Sequence, residues 1–287
     1  MRATIIYLFF VLFILISCNK EPYDYENNRT SYFKNINKQS YNDSIIICVT
    51  YNIHLGFKAI QDPWEKEEIG ANKAQIQNIA DVLKQINPDI IALQEVPRNR
   101  YNAEVKNFLE ELAAKLNMNY AFGAHGYNDP YGIYPVYGEW GTAILTKYKI
   151  LNINNIEVEY VDKWQKRSIL DAKIEINNST TLHTMSLHYL PIQEGIPNTA
   201  HYLKQINEPV ILLGDFNYTG EINEFKEIGL NDVDSTYEKN WIDRIFYSKS
   251  YFKNIEFGSL IDSLWVSDHS ANYGIIKIKK YNSILIP

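Results

Sequence analysis

A set of polar side chains, drawn from most of the chain, stands where apolar runs end: Asn52, Glu95, His188, Asp215 with Asn217, Asp243, and Asp268 with His269. Their contexts are T-Y-N-I-H, A-L-Q-E-V, S-L-H-Y, L-L-G-D-F-N, W-I-D-R and V-S-D-H. Short apolar runs rich in β-branched residues are the pattern of buried strands, so each of these groups sits at a strand end. Carboxylates, carboxamides and imidazoles delivered to strand ends from distant parts of a chain are expected to converge on one site. The mixture suits a hard cation such as Mg²⁺, which prefers oxygen ligands, combined with acid–base chemistry on a phosphate ester.

Each position has a functional reading and a bland one. Glu95 is a carboxylate just past a buried run, costly there unless it holds a cation or reaches water. We expect it to hold metal; the alternative is an exposed glutamate at a strand end. Asn52 can touch metal or phosphate without adding charge, or simply close a strand as a turn residue. Asp215 and Asn217 flank Phe216, and on an extended backbone their side chains point the same way. Asp268 and His269 are adjacent and then point apart, Asp268 toward metal and His269 toward phosphate. His188 has competitors for its role in His183 and Tyr189. Arg167 is either a phosphate-facing cation or one of three cations in residues 163–167.

Elements able to position these groups follow from periodicity. Strands are expected over residues 45–51, 90–93, 120–122, 142–146, 150–160, 168–176, 180–188, 209–213, 244–247, 252–257 and 271–279. Apolar residues at Ile76, Ile79, Ala80, Leu83 and Ile86 predict an amphipathic helix over 72–86, stopped by Asn87-Pro88. A second helix is expected over 104–116 and a third over 199–206. Asn177-Asn178 reads as a hairpin turn. Residues 126–140, dominated by Gly, Pro and Tyr, read as a long loop, either self-packed or able to stack on a base, sugar or choline group. The order of elements predicts a mixed pair of sheets with helices on both outer faces.

Ahead of this lies a different kind of segment. The apolar run 5–16 is too short to span a membrane comfortably and ends at Ser17-Cys18. It is expected to be a lipoprotein signal peptide over 1–17, with Cys18 acylated and an uncleaved anchor helix as the alternative. With Asn19 and no aspartate after Cys18, the expected location is the cell envelope, anchored at the outer membrane. Cys48, in an apolar run, is then the single remaining thiol and reads as a small core residue. Residues 18–43 read as a polar tether and 44–287 as one catalytic domain. The formal charge of −6 argues mildly against a protein that grips duplex DNA through many phosphates.

Taken in order, the motif segments from about residue 45 to about residue 278 resemble the endonuclease/exonuclease/phosphatase (DNase I-like) superfamily. Any one piece is weak, because G-D-F-N alone occurs by chance; the ordered set is specific. The resemblance implies a four-layer α/β/β/α sandwich with two mixed β-sheets and the site at one end of them. It implies Mg²⁺ (or Mn²⁺) at Glu95, Asn52 and Asp268. It implies water activation by Asp215 and phosphate binding by Asn217, Asn52, His188 and Arg167. Asp243 is implied to hold His269. Three departures stand out: His54 lies two after Asn52 where AP endonucleases carry an aspartate, no proline follows Ser267-Asp268-His269, and Arg244 follows Asp243 where nucleases often have an aromatic residue.

The expected activity is Mg²⁺-dependent hydrolysis of a phosphodiester or phosphomonoester met at the envelope, such as a phospholipid head group or a sugar or inositol phosphate. The alternatives are a secreted nuclease acting on nucleic acid, and a non-catalytic binding protein on the same scaffold. A monomer, tethered to the membrane through Cys18, is the expected state.

Overall fold

The computed structural model describes residues 31–39, 44–61, 70–99, 103–127, 139–162, 165–177, 180–191, 194–236 and 241–279. Cys18, the signal segment and Tyr131, Tyr134 and Tyr137 of the expected loop lie outside these residues. Within them run strands β1 (Ser31–Lys34), β2 (Ile45–Asn52), β3 (Ile90–Arg98), β4 (Asn119–Tyr127), β5 (Glu139–Thr146), β6 (Lys149–Asp162) and β7 (Gln165–Asn177). They continue as β8 (Thr180–His188), β9 (Val210–Asp215), β10 (Leu230–Asp232), β11 (Asp243–Ser248), β12 (Phe252–Ser259) and β13 (Asn272–Ile278). The helices are α1 (Lys73–Lys84), α2 (Phe108–Leu116), α3 (Gly195–Leu203) and α4 (Asn223–Glu227).

Two mixed sheets result. The first is ordered β1-β4-β5-β3-β2-β13-β12 and the second β6-β7-β8-β9-β11-β10, joined by one backbone pair, Gly126 with Gln165. Each has one parallel pair, β2 with β3 and β8 with β9, and antiparallel neighbours elsewhere. A parallel pair needs a crossover, and α1 and α3 supply the two.

Strand alternation sorts the apolar residues into three cores. Ile46, Cys48, Ile90, Ala92, Ile211 and Leu213 face between the sheets. Val49, Tyr51, Ile91 and Leu93 face α1 and α2 on one side, and Met185, Leu187, Val210 and Leu212 face α3 and α4 on the other. Three cores between four layers is the expected α/β/β/α sandwich. Toward one end the inter-sheet core turns polar: Thr50 Oγ1 donates to Gln94 Oε1 and Gln94 Nε2 to Ser186 Oγ, each at 3.3 Å. Buried polar groups so paired cost little and tie the sheets together beneath whatever lies above.

Several elements differ from the sequence reading. Residues 31–39, read as tether, belong to the fold: β1 pairs with β4, and Asn119 Oδ1 accepts from the backbone N–H of Ile36 and Asn37 at 2.7 Å each. The second helix begins at Phe108 rather than 104, because Val105 N–H is drawn to Ala71 C=O at 2.9 Å. The third begins at Gly195 rather than 199. Glu159 of β6 accepts from Gly195 N–H at 2.7 Å and Leu190 N–H at 2.8 Å, and Pro197 suits a first helical turn. Residues 126–127 and 139–140, read as loop, extend β4 and β5. The short β10 and α4 had no periodic signal.

Candidate active site

Two parallel pairs deliver the first groups. Asn52 ends β2, and His188 and Asp215 end β8 and β9 side by side, paired in register. Asp243 opens β11 directly opposite Asp215. All four side chains are buried. Glu95 lies on β3, where strict alternation would send it toward the helices. A register shift between Leu93 and Val96, with Glu95 at φ 53°, turns it back to the site, so that Asn52 Nδ2 donates to Glu95 Oε1 at 3.2 Å. Bulges re-aim single side chains in this way. Asn52 Nδ2 also lies 3.2 Å from Asp215 Oδ2, so one carboxamide bridges the two sheets.

Gly214 before Asp215 is required by close approach: a Cβ there would meet Leu187 O at 2.3 Å. The expected extension through Phe216 is not found. Phe216 is buried against Phe225 and Phe246, and Asn217 adopts φ 48°. Asp215 Oδ1 accepts from Asn217 N–H at 2.9 Å, and Asn217 Nδ2 donates to Tyr189 O at 2.9 Å. Asn217 therefore braces the turn that aims Asp215, and a single amide proton remains for a substrate.

Asp268 and His269 arrive on the loop before β13. Ser267 Oγ donates to Asn52 O at 2.7 Å, which ties this loop to the end of β2. His269 Nδ1 is 2.8 Å from Asp243 Oδ2 and 3.9 Å from Asp215 Oδ2. Burial works against its charge, but the Asp243 hydrogen bond and the charges of Asp243, Asp215 and Asp268 lift His269 to about 9. It is an imidazolium at neutral pH, with Nε2–H free of partners among the described residues. Asp268 is half-exposed, 3.8 Å from His54 Nε2.

His188 is the opposite case. Its Nδ1 lies 3.4 Å from Arg167 Nη1, which can only donate, so the ring proton sits on Nε2, 3.5 Å from Asp215 Oδ2. Burial, then Arg167, His125 and His269, hold it well below the usual histidine range. The 3.5 Å approach to Asp215 is thus that of a neutral ring, not an ion pair, and it lies outside hydrogen-bond geometry. Arg167 stacks over Trp140 at 4.8 Å and acts through His188.

Burial, then the charge of Asp243, raises Asp215 to about 6, where a carboxylate can accept a proton near neutrality. Burial likewise raises Glu95 and Asp243. Four carboxylates share one pocket with one cationic histidine. Each buried charge costs several kcal/mol on the order of magnitude scale, a cost that points to function. A hard cation would offset it, and Glu95 and Asp268 offer oxygen donors of the kind such an ion requires. Asn52, expected among the ligands, instead turns its Nδ2 toward Glu95 and Asp215 while its Oδ1 accepts from His54 N–H at 3.1 Å. Asp215, Asp243 and His269 also place one ligand atom each within 4.8 Å. Because His269 and Asp243 already share a hydrogen bond, the Glu95 side is the better fit.

Some functional neighbours had no sequence signal. His125 and Trp140 wall the site beside His188, with Trp140 6.3 Å from the His188 ring. Arg244, noted only as a departure, is buried: Nε donates to Asp232 Oδ2 at 2.8 Å and Nη1 to Gly220 O at 2.7 Å. It pins the chain just after the Asp215 turn.

A two-sheet sandwich that gathers acids, amides and histidines where its parallel strands end defines a class, and comparison with known proteins agrees. Residues 49–269 match the model of the endonuclease/exonuclease/phosphatase family, and the chain belongs to that family. Its members are typically hydrolases of phosphoester bonds. The fold is similar to an endonuclease/exonuclease/phosphatase from Beutenbergia cavernae DSM 12333, with TM-score 0.66 and 16% identity over 82% of this chain and 72% of that one. It is also similar to the human Nocturnin catalytic domain, with TM-score 0.60 and 16% identity over 91% and 100%. A Bacteroides vulgatus endonuclease/exonuclease/phosphatase gives TM-score 0.59 and 16% identity over 83% and 100%. No curated protein matches the chain.

Proposed function

We propose that the protein is a divalent-metal-dependent phosphoesterase of the cell envelope, hydrolysing a phosphodiester by in-line attack of water. The observation that carries this is the meeting of Asn52, Glu95, His188, Asp215, Asp243 and His269 at one end of the sandwich. Mg²⁺, held by Glu95 and Asp268, would supply Lewis-acid stabilisation of charge on the phosphate oxygens, with Asn52 orienting the Glu95 carboxylate.

The chain's own residues do the rest. Asp215, poised near neutrality, takes the proton of the attacking water. His188 presents a neutral Nε2–H and His269 a cationic one, both donors preorganised for charge that grows in the transition state. Asp243 holds His269 in orientation and charge. Asn217 fixes the turn and offers its remaining amide proton to phosphate. The full set of groups speaks against a retired scaffold.

A panel of bis-p-nitrophenyl phosphate, p-nitrophenyl phosphate, plasmid DNA, sphingomyelin and inositol phosphates, each with Mg²⁺, with Mn²⁺ and with EDTA, tests the reading. Metal-dependent turnover that disappears in Asp215→Ala and His269→Ala is expected, with a small phosphodiester or lipid as best substrate. DNA as best substrate would favour the nuclease alternative. Absence of turnover on every member by folded protein would sink the phosphoesterase reading.

A further inference from the structure

Beside Asp268 and His269 a cavity of about 390 Å³ opens between two loops, lined also by Ile60, Asp262 and Trp265. Two of its lining residues are apolar and project into water, Ile60 84% exposed and Trp265 68%, and Leu264, beside Trp265 in the chain, is 58% exposed. Isolated exposed apolar residues need no explanation, but two large ones lining the mouth of the candidate site, with a third next to them in the chain, do.

The rim is built rather than frayed. Trp265 has φ 53°, an outlying conformation for a bulky residue. Asp262 imposes it, with Oδ1 accepting from Leu264 N–H at 3.2 Å and Oδ2 from Val266 N–H at 2.8 Å. Trp265 O accepts from Ala59 N–H at 3.1 Å, which locks the Ile60 loop alongside, and Gln75 Nε2 donates to Val266 O. Strain held in place by this many bonds keeps an indole pointed outward.

The entry point of the N-terminal segment says what the rim faces. Ser31 pairs with Gly123, Gly123 with Thr142, and Thr142 lies level with the Glu95 bulge of β3. The first described residues, from Ser31, therefore join the fold at the site end of the first sheet. The stretch from Cys18 to Ser31 reaches about 45 Å when fully extended. An apolar segment at residues 5–16, or a lipid on Cys18, would hold the site end close to a bilayer.

We propose that Ile60, Leu264 and Trp265 form a docking surface for a lipid bilayer, seating the site mouth on the membrane so that a phospholipid head group enters it. Indole and aliphatic side chains at a rim, with the exposed cation Lys58 beside them, are the chemistry that partitions into the head-group layer. The phospholipid part rests on the phosphoesterase reading; the docking part does not.

The test uses the full-length protein with phosphatidylcholine vesicles whose acyl chains are brominated or not. Brominated vesicles are expected to quench tryptophan emission, and Trp265→Phe to remove at least half of that quenching, whatever Trp64, Trp140, Trp164 and Trp241 contribute. Leu264→Asp is expected to lower hydrolysis of vesicle phospholipid at least fivefold and to leave bis-p-nitrophenyl phosphate turnover within twofold. Quenching untouched by Trp265→Phe overturns the proposal. Equal loss on vesicle and soluble substrates in Leu264→Asp also overturns it, and would make the rim a substrate wall. Wild-type protein that is quenched through Trp265 yet turns over no soluble diester with Mg²⁺ would fail the phosphoesterase reading and leave the docking surface standing.

Discussion

His269 and His183 each lie against two carboxylates, yet the two clusters are built differently. At His183, Asp171 takes Nδ1 at 2.9 Å and Glu208 Oε2 takes Nε2 at 3.0 Å, while Lys173 shares that Oε2, Thr181 donates to Glu208 Oε1 and Tyr202 donates to Asp171 Oδ2. Every hydrogen-bonding site of that ring is consumed. At His269, Asp243 takes Nδ1 and the ring lines the site cavity, with the other nitrogen without a partner among the described residues. Burial opposes the charge on both rings, and carboxylate partners raise both. A charged histidine closed on both sides is a fastener; one closed on one side is a reagent.

The strongest break in this comparison is expected from the reagent side. His269→Ala and Asp215→Ala should each lower kcat on a soluble diester by about 10²–10⁴-fold, the usual worth of a positioned acid or base. The double variant should lose far less than the product of the two. His183→Ala should leave kcat within about twofold, as a group outside the chemistry must. Comparable kcat losses at His183 and His269 would erase the distinction.

Next in size is Arg244→Met. It leaves buried Asp232 without its cation, and a loss of roughly 3–5 kcal/mol is expected in denaturant unfolding. Burial already raises Asp232 to about 6 in spite of Arg244. An Arg244→Met and Asp232→Leu pair should recover much of that loss, and failure to recover would place the role of Arg244 in the Gly220 contact.

The charge on His269 can be sharpened by pH. With His269 raised to about 9 and Asp215 to about 6, kcat/KM should rise through the lower value and fall through the upper. Bound metal favours the Asp215 carboxylate and shifts the acid limb lower. Asp243→Asn removes the charge that supports the imidazolium, so the alkaline limb should move toward the ordinary histidine range near ~6.5. An unmoved limb would assign it to another group.

The smallest effect belongs to the fastener. The folded state raises His183, so its contribution to stability is fully present below about pH 6.5 and fades as pH rises through the raised value. His183→Gln should cost roughly 1–3 kcal/mol at pH 6 and less at pH 9 by urea unfolding. Equal costs at both pH values would show that His183 is held neutral.

Much of this was legible in the sequence because it depends on short-range pattern. Near-continuous apolar runs in 45–51 and 209–213 and the strand pattern of 180–188 marked the strands, and residue type marked their polar ends. Asn52, Glu95, His188, Asp215, Asp243 and His269 do meet. What escaped was what depends on a partner far away. Asn217 was misaimed because its φ is set by hydrogen bonds to Asp215 and to the Tyr189 carbonyl. β1 was hidden because a run of only four residues, Ser31–Lys34, becomes a strand only when β4 offers an edge.

The sequence alone determined which groups exist and that Asn52, His188 and Asp215 close their strands, since apolar runs and residue type are local properties. That Glu95 sits on a bulge inside β3, and Asp268 and His269 on the loop before β13, was not local. The tertiary structure alone decided what each group is chemically. A histidine's charge and a carboxylate's proton affinity depend on neighbours a few ångströms away, and Ser267 meets Asn52 across 215 residues of chain. Register and a single bulge at Glu95 set those distances, which is why His188 is neutral, His269 charged and Asp215 poised between them.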